Sequence, residues 1–288
     1  MPRPSDDRTP SRGRGRRRTG GTALAIATGM ALALAVAVAL TLTDRAAATD
    51  SSALRLLLLA AQDMNTPQTL LRADVALEVE TPQGTRTTDA IALFAPGKEA
   101  RWYLQLREPA LQALVLGAER KVMEHTGSVT QTIPMGAAID ALGIAYEDMS
   151  RFIVDDFTTW QITDENAATI LVGMHPTVES AYVYRAYTFD KEKTVPLKVQ
   201  FYAKKLNNLV KLRIDSEHAL VGKKWFPGTI AIQNFPEGST TRLHVRWSQN
   251  ASAPPELLAP ASFPGAAPLP WEGTAVSPSP RLSTSPRN

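Results

Sequence analysis

From Leu71 to Trp247 the chain repeats one pattern, in which apolar and polar residues alternate over short runs that each end in a turn signal. Leu71, Ala73, Val75, Leu77 and Val79 interleave with Arg72, Asp74, Glu78 and Glu80. Trp102, Leu104 and Leu106 alternate with Arg101, Gln105 and Arg107, and Leu243, Val245 and Trp247 alternate with Arg242, His244 and Arg246. A period of two places the apolar side chains of a strand on one face. Antiparallel sheets carry this signature when one face is wet and the other covers apolar material. Whether that material is the protein's own core or a lipid decides the function.

The alternation predicts strands near 70–80, 88–95, 100–107, 112–118 and 120–126. A second set follows near 157–162, 168–174, 181–189, 195–203, 208–216, 225–234 and 240–248. Pro82-Gln83-Gly84, Pro96-Gly97-Lys98, Asp190–Lys193, Asn207-Asn208 and Pro236-Glu237-Gly238 supply the turns. Asp50 or Ser51 caps a helix from about Ser52 to Met64, ended by Asn65-Thr66-Pro67. Its leucines lie nearly all round it, so burial on most sides is expected. Between the two strand sets, Ile133 to Arg151 reads as a long connection with a short helix at Tyr146 to Phe152. A dozen strands with so little helix predict a curved antiparallel sheet rather than a flat one. Such a sheet closes on itself or leaves a cavity on its inner side.

Residues 1–48 hold eight arginines and three aspartates, leaving 23 basic and 25 acidic residues for the rest. The excess positive charge therefore belongs to the leader, and the folded part has no basic footprint for nucleic acid. Five arginines between Arg12 and Arg18 precede an Ala/Leu/Val run from Ala23 to Leu42, then Ala46-Ala47-Ala48. This is the pattern of an export signal cleaved before Thr49. The run is also long enough to span a bilayer if it is kept. Both alternatives place residues 49–250 outside the cytoplasm, in the periplasm. No cysteine occurs, so disulfides, thiol catalysis, thiolate metal sites and a lipid-modified cysteine are all excluded. From Ser252 the composition turns to Pro, Ala and Ser, with nine prolines between Pro254 and Pro286. Residues 251–288 are expected to be a largely disordered tail with a docking piece at 257–263.

Chemistry-bearing motifs are sparse. His125, His175, His218 and His244 lie far apart, without metal-ligand spacing. No GxSxG elbow, P-loop or dinucleotide fingerprint occurs in the folded region. The adjacent acids Glu147-Asp148, Asp155-Asp156 and Asp164-Glu165 are expected to be solvated loop carboxylates, with Asp148 or Asp155 available to cap a helix or pair with Arg151. Lys204-Lys205 and Lys223-Lys224 are expected as loop or strand-end charges. No catalytic residue, metal or cofactor is assigned, and a non-enzymatic protein is expected.

Three segments resemble the LolA/LolB-like outer-membrane lipoprotein-sorting proteins: Ile144-Ala145-Tyr146-Glu147-Asp148-Met149, the run from Asp190 through Pro196 to Tyr202 that continues at Asn208, and Lys224-Trp225-Phe226-Pro227 running on to Leu243. The resemblance covers about residues 51–263. It implies a mainly β fold, an unclosed half-barrel whose open side is covered by an N-terminal helix and short helices. It also implies an apolar cavity that receives acyl chains. The residues assigned to that cavity are Val75, Leu77, Val79, Leu93, Trp102, Leu104, Leu106, Leu116, Val199, Phe201, Leu243 and Val245. Met135, Leu142, Tyr146, Met149 and Phe152 are assigned to a lid, flexible methionine being suited to repacking around varied chains.

The expected function is a monomeric periplasmic carrier or chaperone for lipoprotein acyl chains or other lipid on the way to the outer membrane. By family inference, an inner-membrane transporter is a partner. The alternative is a membrane-anchored periplasmic domain that senses lipid or lipoprotein.

Overall fold

The computed structural model describes residues 52–265 and 267–271. The expected signal or anchor at 1–48 and the tail beyond 271 lie outside the described residues. The chain divides into two compact units, Met1–Arg55 and Leu56–Asn288; of the first, only residues 52–55 are described, and they are helical. Among the described residues no helix is long and apolar enough to cross a membrane.

The helix predicted at the start of the domain, α1, covers residues 52–64. It is less buried than its leucine content suggests. Leu58 and Ala61 are buried, whereas Leu56 and Leu59 are exposed. One face suffices to dock a helix, and Leu56 and Leu59 stay in solvent. Its last turn is tied down by polar contacts: the Gln62 carbonyl oxygen Oε1 accepts from the Val154 amide at 2.7 Å, and Lys224 donates to the Asp63 main-chain oxygen at 2.8 Å. Lys224 is therefore buried and paired with Asp63, unlike the free strand-end charge expected.

The first strand set is a meander: β1 (Leu71–Thr81), β2 (Gly84–Phe94), β3 (Arg101–Leu106), β4 (Leu111–Leu116), β5 (Lys121–Thr126) and β6 (Val129–Pro134). Strand β6 was not expected, because Val129-Thr130-Gln131-Thr132-Ile133-Pro134 is mostly exposed and lacks an alternating apolar set. A connector follows, containing the two-residue strands β7 (Ala138–Ile139) and β8 (Ile144–Ala145) and one helical turn, α2 (Tyr146–Met149). The second meander runs β9 (Phe157–Glu165), β10 (Thr169–Pro176), β11 (Tyr184–Asp190), β12 (Val195–Tyr202) and β13 (Leu209–Ser216). A small hairpin, β14 (Ala219–Val221) and β15 (Lys224–Phe226), precedes β16 (Thr229–Asn234) and β17 (Ser239–Gln249). The single strand expected at 225–234 is thus two, split at Pro227-Gly228, where proline removes a ladder donor.

Thirteen of these strands form one antiparallel sheet in the order β6-β5-β4-β3-β2-β1-β17-β16-β13-β12-β11-β10-β9. The two meanders are joined where β1 pairs with β17, from Leu71 opposite Gln249 to Glu80 opposite Thr240. Register shifts at Leu171/Val172, His175/Pro176, Thr188/Phe189 and Phe201/Tyr202 bend the second half. The sheet does not close: β6 and β9 are its two edges. The connector leaves β6 and enters β9, so it runs from one edge to the other across the concave side.

On that concave side one cluster unites Val75, Leu77, Trp102, Leu104 and Leu243 with Met135, Ile139, Leu142, Ile144 and Tyr146 of the connector. The opposite face of β2 to β4 is not wet, as strict alternation would have it. Ile91, Leu93, Tyr103, Leu114 and Leu116 are buried there beneath Leu257, Phe263 and Leu269. The proline-rich segment therefore packs on the convex face, and the packing runs past residue 263 to Leu269 and Trp271. Gln105 anchors it, accepting from the Leu269 amide at 2.8 Å and donating to the Leu269 carbonyl at 3.0 Å, all buried. Gln105→Ala leaves both main-chain groups unpaired. We expect a loss of about 1–3 kcal/mol, measured as a lower denaturant midpoint at unchanged slope.

Candidate functional site

The concave wall has two chemically distinct halves. In the first, β1, β2, β3, β16 and β17 direct Ala73, Val75, Leu77, Ala90, Ala92, Phe94, Trp102, Leu104, Leu106, Ile230, Leu243, Val245 and Trp247 into a common cavity. Leu142 and Met149 of the connector roof it. No lining residue is charged. Phe94 stacks on Trp102 at 5.7 Å and meets Trp247 at 5.6 Å, which sets the width of one end. The indole N–H of Trp247 is satisfied by the Pro227 carbonyl at 2.8 Å, so it presents no free donor to the interior. The empty space is about 50 Å³. By comparison, an apolar cavity of about 150 Å³ binds a ligand the size of benzene. With Leu142 and Met149 in place, the space is too small for a long acyl chain.

In the second half the wall carries Arg185, Lys211 and Arg213 among apolar residues, and here the α2 turn is fastened. Glu147 and Asp148 are both buried, contrary to the solvated loop acids expected. The Glu147 carboxylate accepts from Arg120 and Arg185 and, through Oε2, from the Ala181 amide at 3.1 Å. Asp148 accepts from the Tyr182 hydroxyl, from Lys211 at 2.6 Å and from the Ala145 amide at 2.7 Å, the last closing the turn's own N-terminus. Arg213 donates to the Asp148 carbonyl at 3.0 Å while holding Asp215. The Tyr146 hydroxyl donates to Glu124 at 2.7 Å. The four cations face four carboxylates, Glu147, Asp148, Asp156 and Asp215, so the cluster is balanced. Arg151 takes no part in it and instead donates to the Gly97 carbonyl at 2.7 Å.

Burial alone would push the Glu147 carboxyl up. Arg185, Ser180, the Ala181 amide and Arg120 outweigh it and hold the group below the usual carboxylate range. Burial raises Asp156, which Arg120 and Arg185 only partly oppose. A depressed carboxyl contributes stability that is complete above its unfolded value and is lost as pH falls through its folded value. Glu147 therefore favours the fastened connector at neutral pH and releases it in acid. We expect Glu147→Gln to flatten the acid limb of the unfolding profile below about pH 4, measured by thermal melts across pH.

The roof is pinned at its other end as well. Asn234 donates to the Gly143 carbonyl at 2.9 Å, and the Thr241 hydroxyl donates to the Leu142 carbonyl. Gly143 has a φ of +65°, and an added Cβ would lie 2.9 Å from the Ser239 hydroxyl, so only glycine fits there.

Of the residues assigned from sequence, Val75, Leu77, Trp102, Leu104, Leu106, Leu243 and Val245 line the apolar cavity. Val79 lies in the same cluster without lining it. Leu93 and Leu116 point to the opposite face, under the C-terminal segment. Val199 and Phe201 line a separate polar cleft with Arg185, Arg213, Glu147 and Asp148. Among the assigned lid residues, Leu142 and Met149 touch the cavity, while Met135 and Tyr146 pack into the surrounding cluster. Phe152 lies elsewhere, 5.1 Å from Tyr187 and 5.3 Å from Phe189. The fastening cations were missed. In β13 the charged residues Lys211, Arg213 and Asp215 face inward and Val210, Leu212 and Ile214 outward, so reading the apolar set as the inner one inverts the strand. The available signal is register, which places Lys211 opposite Phe201 and Arg213 opposite Val199.

Among protein families, one model, described as "-like: Uncharacterized protein", matches residues 129–257. No curated protein matches the sequence. Among solved structures, a DUF1329 family protein from Desulfovibrio piger is similar at a TM-score of 0.64 and 15% identity, covering 72% of this chain and 95% of that one. A domain assigned to the outer membrane lipoprotein-sorting proteins from Vibrio parahaemolyticus aligns at 0.61 and 16%, covering 69% and 92%. A LolA superfamily protein from Nitrosomonas europaea aligns at 0.58 and 15%, covering 71% and 96%. At these identities the likeness is one of fold: the chain has the LolA-like fold, an antiparallel sheet that stops short of a barrel.

Proposed function

We propose that this chain is a non-enzymatic periplasmic carrier that takes up the acyl chains of lipoproteins or other lipids against its concave face. One observation carries the reading: the first half of that face is a continuous wall of uncharged side chains, roofed by a separate connector that is fastened by ion pairs rather than by the sheet's own ladder. Taking an acyl chain from a membrane costs about 0.8 kcal/mol per methylene, so a dozen carbons need on the order of 10 kcal/mol of replacement burial. Sliding Leu142 and Met149 aside exposes a wall that supplies it. The LolA-like fold supports this reading, and we assign the chain a place, as a monomer, between an inner-membrane donor and the outer membrane.

Trp102 and Trp247 line the cavity, whereas Trp160, Trp225 and Trp271 do not. A fatty acid brominated in mid-chain should therefore quench part of the tryptophan emission in a saturable way. In the Trp102→Phe/Trp247→Phe variant that quenching should vanish. Quenching that survives in the double variant would place the chain elsewhere and refute the reading.

A further inference from the structure

At one end of the second half of the sheet, three neighbouring segments each project an apolar side chain into solvent. Val183 immediately precedes β11, Leu206 tops the turn between β12 and β13, and Phe235 follows β16; they are 43%, 58% and 48% exposed. Strands β11, β12, β13 and β16 are consecutive in the sheet, so these segments are adjacent. Main-chain hydrogen bonds fix them together: Val183 donates to Tyr202 at 2.9 Å, Ala203 to Asn208 at 3.1 Å, and Phe235 to Val210 at 3.0 Å. Lys204 and Lys205, both exposed, directly precede Leu206 in the turn. Below them, on the outer face, Tyr184 and Tyr202 pack edge to face at 5.5 Å.

We propose that this tip is a docking surface for an anionic lipid bilayer. Exposed Leu, Phe and Val cost free energy in water and gain it in the acyl region, and tyrosine favours the headgroup level. The two lysines complement the negative surface potential, each contributing about a fivefold gain in partitioning. The one nearby carboxylate of the β16–β17 turn, Glu237, lies against Gly143 rather than among the lysines. The location has a consequence for the roof. Asn234, which pins the Gly143 carbonyl, is the residue before Phe235, and Thr241, which pins Leu142, lies in the adjoining strand β17. Seating the tip in a membrane therefore brings the roof's attachment close to the bilayer, where cargo is collected. This purpose rests on the carrier reading, but the surface itself is testable without cargo.

Because the chain has no cysteine, Leu206→Cys provides a single site for an environment-sensitive fluorophore on the full-length protein. Vesicles of phosphatidylglycerol and phosphatidylcholine should raise and blue-shift its emission, and nitroxide-bearing lipid should quench it. Adding Lys204→Gln and Lys205→Gln should weaken the response about thirtyfold in lipid concentration. Pure phosphatidylcholine vesicles should give little response, and half-molar salt should abolish most of it. A label that stays in water with anionic vesicles overturns the proposal. So does a response that ignores the lysines. The brominated fatty acid titration, repeated on Leu206→Asp, should be unchanged, which separates failure of the tip from failure of the cavity.

Discussion

Glu147→Leu is expected to lower the melting temperature by roughly 10 °C. Glu147 is buried and bridges Arg120 and Arg185. Removing one partner of a buried pair leaves charge unpaired in a poorly solvated site and costs about 3–5 kcal/mol. A domain of this size loses about 2–4 °C per kcal/mol. Arg185 would be left worst placed, since its Nε already has no partner. Arg120 keeps Asp156 at 3.5 Å. Adding Arg185→Met to Glu147→Leu should therefore recover most of the lost stability, because an apolar pair of similar volume avoids the uncompensated charge. Calorimetry on the two single variants and the double variant checks this. A solvated loop acid, by contrast, would change stability by less than about 0.5 kcal/mol.

The second large effect concerns binding rather than stability. Met149→Asp should weaken acyl-chain binding at least about a hundredfold, because a carboxylate facing hydrocarbon costs several kcal/mol. Met149 is half-buried and reaches the cavity from the connector. In the unliganded protein the new carboxylate can turn outward, so melting should fall little. The contrast between a large binding loss and a small stability loss distinguishes a mobile roof from an ordinary core position. Competition against the brominated fatty acid reads the first quantity, and thermal melting reads the second. Unchanged binding in this variant would remove Met149 from the lid.

What the sequence made legible was the part governed by short-range pattern. Strands such as β1 and β17 declare their inner set because one face is apolar throughout, and seven of the assigned cavity residues fall on that wall. Leu93 and Leu116 went to the wrong face because β2 to β4 are buried on both sides. A proline-rich segment more than 140 residues away covers them, and alternation has no term for such a partner. The fastening of α2 was illegible for a related reason. Tyr146-Glu147-Asp148 looks like a polar loop until Arg185 from β11 and Lys211 and Arg213 from β13 are brought under it. Long-range charge pairing of this kind leaves no local period, and adjacent acids alone look solvated.

Carriage of lipid requires hydrocarbon to replace the roof over the apolar half of the concave face. Native mass spectrometry of the protein purified without detergent, before and after incubation with excess fatty acid, tests this most directly. We expect a population heavier than the bare chain by the mass of an acyl-bearing molecule, lost in Met149→Asp. A spectrum showing only the bare chain under both conditions would contradict it.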